Sequence, residues 1–339
     1  MAKSLYTYIA KKFCESIPPT LLPLSMEFDL TNICNQNCVY CNAASYRQSQ
    51  RDMTVKDDYK KIFDSCIINY ANSNQTLPTI TFVGGGEPTL HKDFSEIISY
   101  ALEKNFLTSV ITNGIHIDKI CDIPANLYTN IAWIGIDIDA GTKNLYNKIR
   151  RPKNKGDFDR VCINIEKLTS SGLNVDLKVL LIDTNSNKEA ITDILLLAKE
   201  LKVRMVYFRL AVVKDGIHKI NTELVNFIKS TSQNLGINIR INLSRTILKN
   251  YNKCYSFFLL PVFAADGYTY LCCENRGNKK FALCNWTTED FFERWCSSRH
   301  LEIWDKTNTK YCAPCRANIH NFNIQNVLND KKILEELFF

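Results

Sequence analysis

Cys34, Cys38 and Cys41 fall in the stretch Thr-Asn-Ile-Cys-Asn-Gln-Asn-Cys-Val-Tyr-Cys and share the spacing C-x3-C-x2-C, with no fourth cysteine in the same loop. Iron–sulfur cubes ordinarily take four thiolates. Three thiolates from one loop can hold three irons of a 4Fe–4S cube and leave the fourth iron open to chelate a small molecule, as a catalytic zinc keeps one position free. The same spacing also suits a zinc site whose fourth ligand lies elsewhere in the chain.

A second motif follows the apolar run Pro78–Val83, which reads as a short strand: Gly84-Gly85-Gly86-Glu87-Pro88. Glycines at a strand end let the backbone approach a ligand, and Glu87 offers an acceptor for an ammonium group. Taken alone, three glycines and a proline also make an ordinary turn.

The cysteine loop and the Gly-Gly-Glu-Pro segment one β-α-β step later together resemble the radical S-adenosylmethionine (SAM) enzymes. The resemblance implies that the open iron binds the amino and carboxylate groups of SAM. An electron from the cluster then cleaves the sulfonium, and a 5′-deoxyadenosyl radical removes a hydrogen atom from substrate. The cofactors supply the hard chemistry and the protein orients them. By the same resemblance Gly84, Gly85, Gly86 and Glu87 bind the methionyl amine and Tyr40 lies against the adenine. Asn113 and Asp137 match positions that touch ribose or methionyl groups, although many members carry Ser where Asp137 stands. Arg150, in Asn-Lys-Ile-Arg-Arg, matches the arginine that pairs with the SAM carboxylate. A flavodoxin- or ferredoxin-type protein is the electron donor such an enzyme needs.

These residues need elements to position them. From about Ser25 to Leu210 short apolar runs alternate with amphipathic stretches, the pattern of βα units and a parallel sheet. The expected strands are Met26–Leu30, Thr79–Val83, Thr108–Thr112, Ala132–Asp137, Asn174–Leu181 and Met205–Leu210. Helical patterns cover Val55–Tyr70, Asp93–Glu103, Phe158–Thr169 and Lys188–Leu201, and Thr142 is a candidate cap for a helix through Arg150. Periodicity predicts an α/β fold. The resemblance implies a partial (β/α)6 TIM-like barrel, and in either architecture the site belongs at the strand C-termini. Arg209, inside the apolar sixth strand, needs an anionic or polar partner and is either a structural ion pair or a substrate contact.

Seven of the fourteen cysteines lie beyond residue 253. Leu259–Phe263 and Tyr268–Cys272 flank Ala-Ala-Asp-Gly, a hairpin signal that can return Cys272 toward Cys254. Cys312-Ala-Pro-Cys315 adds a two-ligand knuckle after an expected helix at Glu289–Trp304. Four sulfurs suit zinc or iron–sulfur, so spacing alone does not name the metal. The pattern through Cys254, Gly267 and Cys272 resembles the opening of the SPASM and twitch extensions of radical SAM enzymes. Because no cysteine follows Cys315, the resemblance implies the shorter twitch form, a small α+β domain with one auxiliary 4Fe–4S cluster on Cys254, Cys272, Cys312 and Cys315. Cys273, Cys284 and Cys296 are then spare, Cys273 being the best substitute ligand. The expected organisation is an N-terminal extension 1–24, a radical SAM core 25–235, an auxiliary-cluster domain 236–320 and a C-terminal helix 321–339.

Composition sets the outer bounds. No apolar run approaches the ~20 residues of a membrane helix, and the N-terminus lacks the apolar core and cleavage site of a signal peptide. Fourteen cysteines in a chain of 339 residues fit metal ligation in a reducing cytoplasm better than a disulfide scaffold. The net charge of +7 is modest, and the densest basic segment, Lys148–Lys155, has no interleaved aromatics. That pattern reads as a solvated loop or a carboxylate site rather than a nucleic-acid surface. The expectation is a radical SAM oxidoreductase that dehydrogenates or epimerises a small polar metabolite such as a sugar, cyclitol or amino-sugar. Modification of a ribosomally made peptide is the alternative, disfavoured because only about 30 residues precede the cysteine loop. A non-catalytic iron–sulfur or zinc protein is the third reading.

Overall fold

A computed structural model describes residues 2–49, 54–213, 216–246 and 251–330. The chain groups into two compact units: Phe28–Lys60 with Thr79–Leu243, and Met1–Glu27 with Lys61–Pro78 and Ser244–Phe339.

The first of these units carries the parallel sheet. Its strands are β1 (Ser25–Asp29, begun in the other unit), β2 (Thr79–Val83), β3 (Thr108–Thr112), β4 (Ile131–Asp137), β5 (Val175–Leu181) and β6 (Met205–Leu210). After a two-residue hairpin, β7 (Val212–Val213) and β8 (Gly216–Ile217), comes β9 (Ile239–Asn242). The order is β1-β2-β3-β4-β5-β6-β9, parallel from β2 to β9, and the sheet does not close into a full barrel. All six expected strands are present within a residue of their expected bounds. The correction is β9, a seventh strand, brought in by the helix Thr222–Leu235. Asn221 caps that helix at the Leu224 N–H, and Gly236 ends it at φ +70, a conformation that suits glycine. The helix Lys143–Arg150 starts where expected, but Thr142 makes no side-chain cap.

Strand alternation sorts the faces of this sheet. Ile134, Ile136, Leu177, Val179, Val206 and Phe208 are buried; with period two they form one face. The other face is polar. There Asp137 pairs with Arg209 at 2.8 Å. Below them Lys178 lies between the rings of Trp133 and Tyr207, 4.1 and 4.5 Å from their centres. Gly135 makes room: a Cβ there would stand 2.6 Å from the Lys178 chain.

The second unit holds the meander β10 (Val262–Phe263), β11 (Tyr268–Tyr270) and β12 (Ala282–Asn285), antiparallel throughout. The hairpin expected around Asp266-Gly267 is there, with Gly267 at φ +82 and Asp266 accepting from the Tyr268 N–H. An aromatic cluster packs its core, with Phe13, Tyr255, Trp295 and Trp304 around Phe258 and His300 stacked on Phe258 at 4.2 Å. The single helix expected at Glu289–Trp304 is instead two, Phe291–Arg294 and Ser298–Lys306. Between them Trp295 is extended and buried, its indole N–H donating to the Leu21 carbonyl, and Cys296 takes φ +62. Anchoring that indole ends the first helix and Ser297 caps the second. The last helix runs Asn318–Asn329; residues 331–339, where it was expected to continue, lie outside the described residues. Among the described residues no helix is long and apolar enough to cross a membrane.

Candidate active site

The cysteine loop is fastened on two sides by backbone hydrogen bonds. On one side the Gly86 and Glu87 N–H groups donate to the Thr31 and Ile33 carbonyls at 3.0 and 2.8 Å. On the other, the Asn37 and Val39 N–H groups donate to the Arg151 and Ile149 carbonyls. The closeness of the first contact explains two of the glycines. A Cβ on Gly86 would stand 2.2 Å from the Ile33 oxygen, and one on Gly85 2.5 Å from Asn32 Oδ1. Gly84 has only ordinary contacts at 3.5 Å and beyond. The glycine run was expected to admit a ligand; at Gly86 it admits the cysteine loop itself.

Glu87 differs from its expected role in the same way. It is buried, and its Oε1 accepts from the Thr112 hydroxyl at 2.5 Å and from the Thr89 hydroxyl and N–H at 2.7 and 3.2 Å. Its Oε2 accepts from the Asn113 N–H at 2.7 Å. Burial pushes its carboxyl up, and those donors pull it back. Here the side chain clamps the ends of β2 and β3 instead of presenting a bare acceptor to an ammonium. Asn113 in turn donates from Nδ2 to Asn35 Oδ1 in the cysteine loop at 2.7 Å.

Arg150 is also committed inside the protein. It is buried and donates to Asp139 Oδ2 at 2.8 Å and Gln36 Oε1 at 2.9 Å. Burial works against its charge, but the neighbouring Cys38, Asp139 and Asp137 overcome that and hold it protonated. It therefore buttresses the cysteine loop, where a contact with the SAM carboxylate was expected. Burial raises the Cys34 thiol and pushes Cys38 up to about 11, with Arg150 opposing the latter. Bound iron lowers such values outright, since a coordinating thiol is deprotonated. Arg47 donates to the Cys41 sulfur at 3.4 Å. Tyr40 and Val39 pack on Ile149, Ile182 and Ala211, so one side of the expected adenine platform rests on an apolar patch.

A cavity of about 220 Å³ lies against the loop, lined by Asn32, Cys34, Gln36 and Arg47, with the exposed Arg151 and Lys153 completing its border. Asn32 decides whether a cofactor fits. It is 1% exposed, and among the described residues neither its Oδ1 nor its Nδ2 has a partner. A buried unpaired amide costs about 1–3 kcal/mol per group. A ligand carrying an amine beside a carboxylate, as SAM does, supplies both missing partners. The residues present fit the cluster and SAM. Asn32, Gln36 and Arg47 were missed in the sequence. Asn32 and Gln36 sit in the cysteine motif and were legible as polar residues without partners to name; nothing local marks Arg47.

A second gathering of thiols lies in the other unit. Burial raises the Cys254 and Cys315 thiols, with Cys315 and Cys312 adding to the first, and a hydrogen bond with Cys273 raises Cys272 while lowering Cys273 itself, so the five thiols lie near one another. Asn321 Nδ2 reaches the Cys254 sulfur at 3.6 Å and the Ala317 N–H donates to Cys315 at 3.3 Å. Cys284 and Cys296 are elsewhere, the former beside Thr269 and the latter against the Pro19 carbonyl. Among the described residues no three Cys, His, Asp or Glu side chains converge on a point suited to a single metal ion. The larger cavity, about 440 Å³, holds a Ser186–His218–Asp183 hydrogen-bonded chain but no thiol. Its Asp183 is 81% exposed, so solvent screens it.

The family model "Radical SAM superfamily" matches residues 28–201, the stretch that contains the cysteine loop, Glu87, Asp137 and Arg150. This chain belongs to the radical SAM superfamily. It is 26% identical to the mycofactocin maturase MftC of Mycolicibacterium smegmatis over 52% of this chain and 42% of that protein. It is 26% identical to the Fe-coproporphyrin III synthase of Methanosarcina barkeri over 62% and 51%. It is 25% identical to the antilisterial bacteriocin subtilosin biosynthesis protein AlbA of Bacillus subtilis over 48% and 34%. The chain thus spans about half the length of these relatives, or less. Among solved structures, Streptococcus suis SuiB bound to its precursor peptide SuiA shares the fold, with a TM-score of 0.65 at 14% identity over 91% of this chain and 74% of that one.

Proposed function

We propose that this radical SAM enzyme modifies a ribosomally made peptide, starting from hydrogen abstraction. The reading is supported by the kinship with proteins named for bacteriocin biosynthesis and mycofactocin maturation, and by the fold shared with a complex that holds a precursor peptide. These favour the peptide alternative over the oxidation of a sugar or cyclitol. The family's cluster, when bound, supplies the electron that splits SAM into methionine and a 5′-deoxyadenosyl radical. Cys34, Cys38 and Cys41 hold that cluster. Asn32 and the backbone at Gly84–Gly86 receive the methionyl end of SAM, Tyr40 bounds its adenine, and Asn113 and Glu87 fix the loop ends around it. Asp137 and Arg209 present paired charges on the polar face of the sheet, 25% and 34% exposed, and contact the substrate. Cys254, Cys272, Cys312 and Cys315 carry a second 4Fe–4S cluster, with Cys273 as the spare thiol.

The test is turnover with candidate ribosomally made peptides deuterated at their side chains. Deuterium transferred into 5′-deoxyadenosine, with a mass change in the peptide, is the expected result. Release of 5′-deoxyadenosine that no candidate peptide stimulates, but that an amino-sugar does, would return the assignment to small-molecule oxidation.

A further inference from the structure

The basic segment Lys148–Lys155 begins in the last turn of the Lys143–Arg150 helix and runs past its end, and the charges of its four exposed cations are not used in the site described above. Lys148, Arg151, Lys153 and Lys155 are all exposed, and no acidic residue lies between them. Among the described residues none of the four forms an ion pair, in contrast to Arg150 in the same stretch, which is buried on Asp139. A run of like charges is ordinarily a solvated face. Its position argues for more. The backbone of this segment is joined to the cysteine loop, with Asn37 N–H on the Arg151 carbonyl at 3.2 Å and a bridge between Gln36 and Pro152. Arg151 and Lys153 border the cavity that Cys34 lines. The positive patch is therefore also an edge from which the cluster loop can be approached from solvent.

We propose that this segment is the docking surface for an acidic one-electron carrier protein, a reduced flavoprotein or ferredoxin-class donor, that delivers its electron at the Cys34–Cys41 loop. The inference rests on the reading of that loop as the cluster site. In the step, one electron leaves the reduced carrier and enters the oxidised cluster. The carrier is left oxidised by one electron, and no bond is made or broken. Four unpaired cations over eight residues would attract an acidic partner and orient it, an effect felt mainly in the association rate and strongly weakened by salt. Arg47 on the Cys41 sulfur adds a fifth positive group beside the same loop.

The experiment is anaerobic stopped-flow reduction of the reconstituted enzyme, followed by bleaching of its iron–sulfur absorbance, with reduced flavodoxin as the carrier and dithionite as the small-molecule control. The variant is Lys148→Glu with Lys155→Glu, two positions that do not border the cavity. Flavodoxin-driven reduction should slow at least tenfold in the variant. For the wild type it should slow steeply between low and physiological salt, with the variant nearly salt-independent. Dithionite reduction, iron content and dithionite-driven SAM cleavage should match the wild type. Equal flavodoxin rates in the two proteins, or a wild-type rate indifferent to salt, would overturn the proposal. Neither result depends on the substrate, so a failed peptide assay and a failed docking assay are told apart. A variant that loses iron would be replaced by Lys155→Gln, for which a threefold or smaller loss with a reduced salt slope is the supporting result and no change the opposing one.

Discussion

Glu87 shows how a motif residue can matter without touching the ligand. Its two oxygens receive four donors, from Thr89, Thr112 and Asn113, inside the protein. Glu87→Ala would strand those donors, and each buried orphan costs about 1–3 kcal/mol. The expected outcome is a loss of roughly 3 kcal/mol in denaturant unfolding. SAM affinity should fall because Asn113 and the loop it braces are released, while iron bound at the three cysteines is retained. Calorimetric SAM binding and iron analysis on one preparation check this. Unchanged stability and affinity would show that the clamp is dispensable. The cysteines and glycines of the site were legible from Cys34 to Glu87 because each motif keeps its residue types at short, fixed spacings. Their partners were not. Arg150 on Asp139, Glu87 on Thr112 and the orphaned Asn32 are set by contacts between residues distant in sequence, and no local pattern encodes those.

The elements follow a similar division. The strands Thr79–Val83, Thr108–Thr112 and Met205–Leu210 were read correctly because buried parallel strands are short, apolar and β-branched. β9 escaped because Ile-Arg-Ile-Asn alternates like a half-exposed strand and carries no buried run. The break between Phe291–Arg294 and Ser298–Lys306 was hidden as well, because only the tertiary anchoring of Trp295 makes it necessary. That break also buries His300 against Phe258 and Trp295, with the Cys296 N–H donating to its Nδ1, and burial lowers its pKa to about 3. In the unfolded chain a histidine titrates near 6.5. Between those values the unfolded state binds the extra proton, so stability falls as pH drops from about 6.5 toward 3, by at most ~1.4 kcal/mol per pH unit. Unfolding followed by tryptophan fluorescence at pH 7.5 and 5.5 should show this loss in the wild type. His300→Gln, which cannot titrate, should show a smaller one. An equal pH slope in both proteins would remove His300 as the cause.

At the scale of the whole molecule, the family was legible and the substrate was not. The three-cysteine loop and the glycine segment follow from what a cluster and SAM require, whereas a peptide and a sugar make no distinct demand on composition. The shift from metabolite to peptide came from kinship with other proteins. The cofactor count is a molecular property that can be measured directly. Anaerobically reconstituted protein is expected to hold about eight irons, four per cube. Replacing Cys34, Cys38 and Cys41 together by alanine should remove about half, and replacing Cys254, Cys272, Cys312 and Cys315 the other half. Zinc at the second set after anaerobic purification would refute the auxiliary cluster. The grouping of the chain bears on when that set can form. One unit is assembled from Met1–Glu27, Lys61–Pro78 and the segment from Ser244 onward. The helix Lys56–Asn72 lies partly in that unit, and its Tyr70 ring meets Phe292 edge-on at 6.2 Å, a contact that must wait for a residue made far later. Cys66 in the same helix lies 3.7 Å from the Met26 sulfur, a contact available as soon as the helix emerges. A nascent chain stalled at Leu243 would carry a complete cysteine loop for the first cluster, with Tyr70 still lacking its Phe292 neighbour. Synthesis thus has a built-in order: Cys34, Cys38 and Cys41 are made before any of Cys254, Cys272, Cys312 and Cys315.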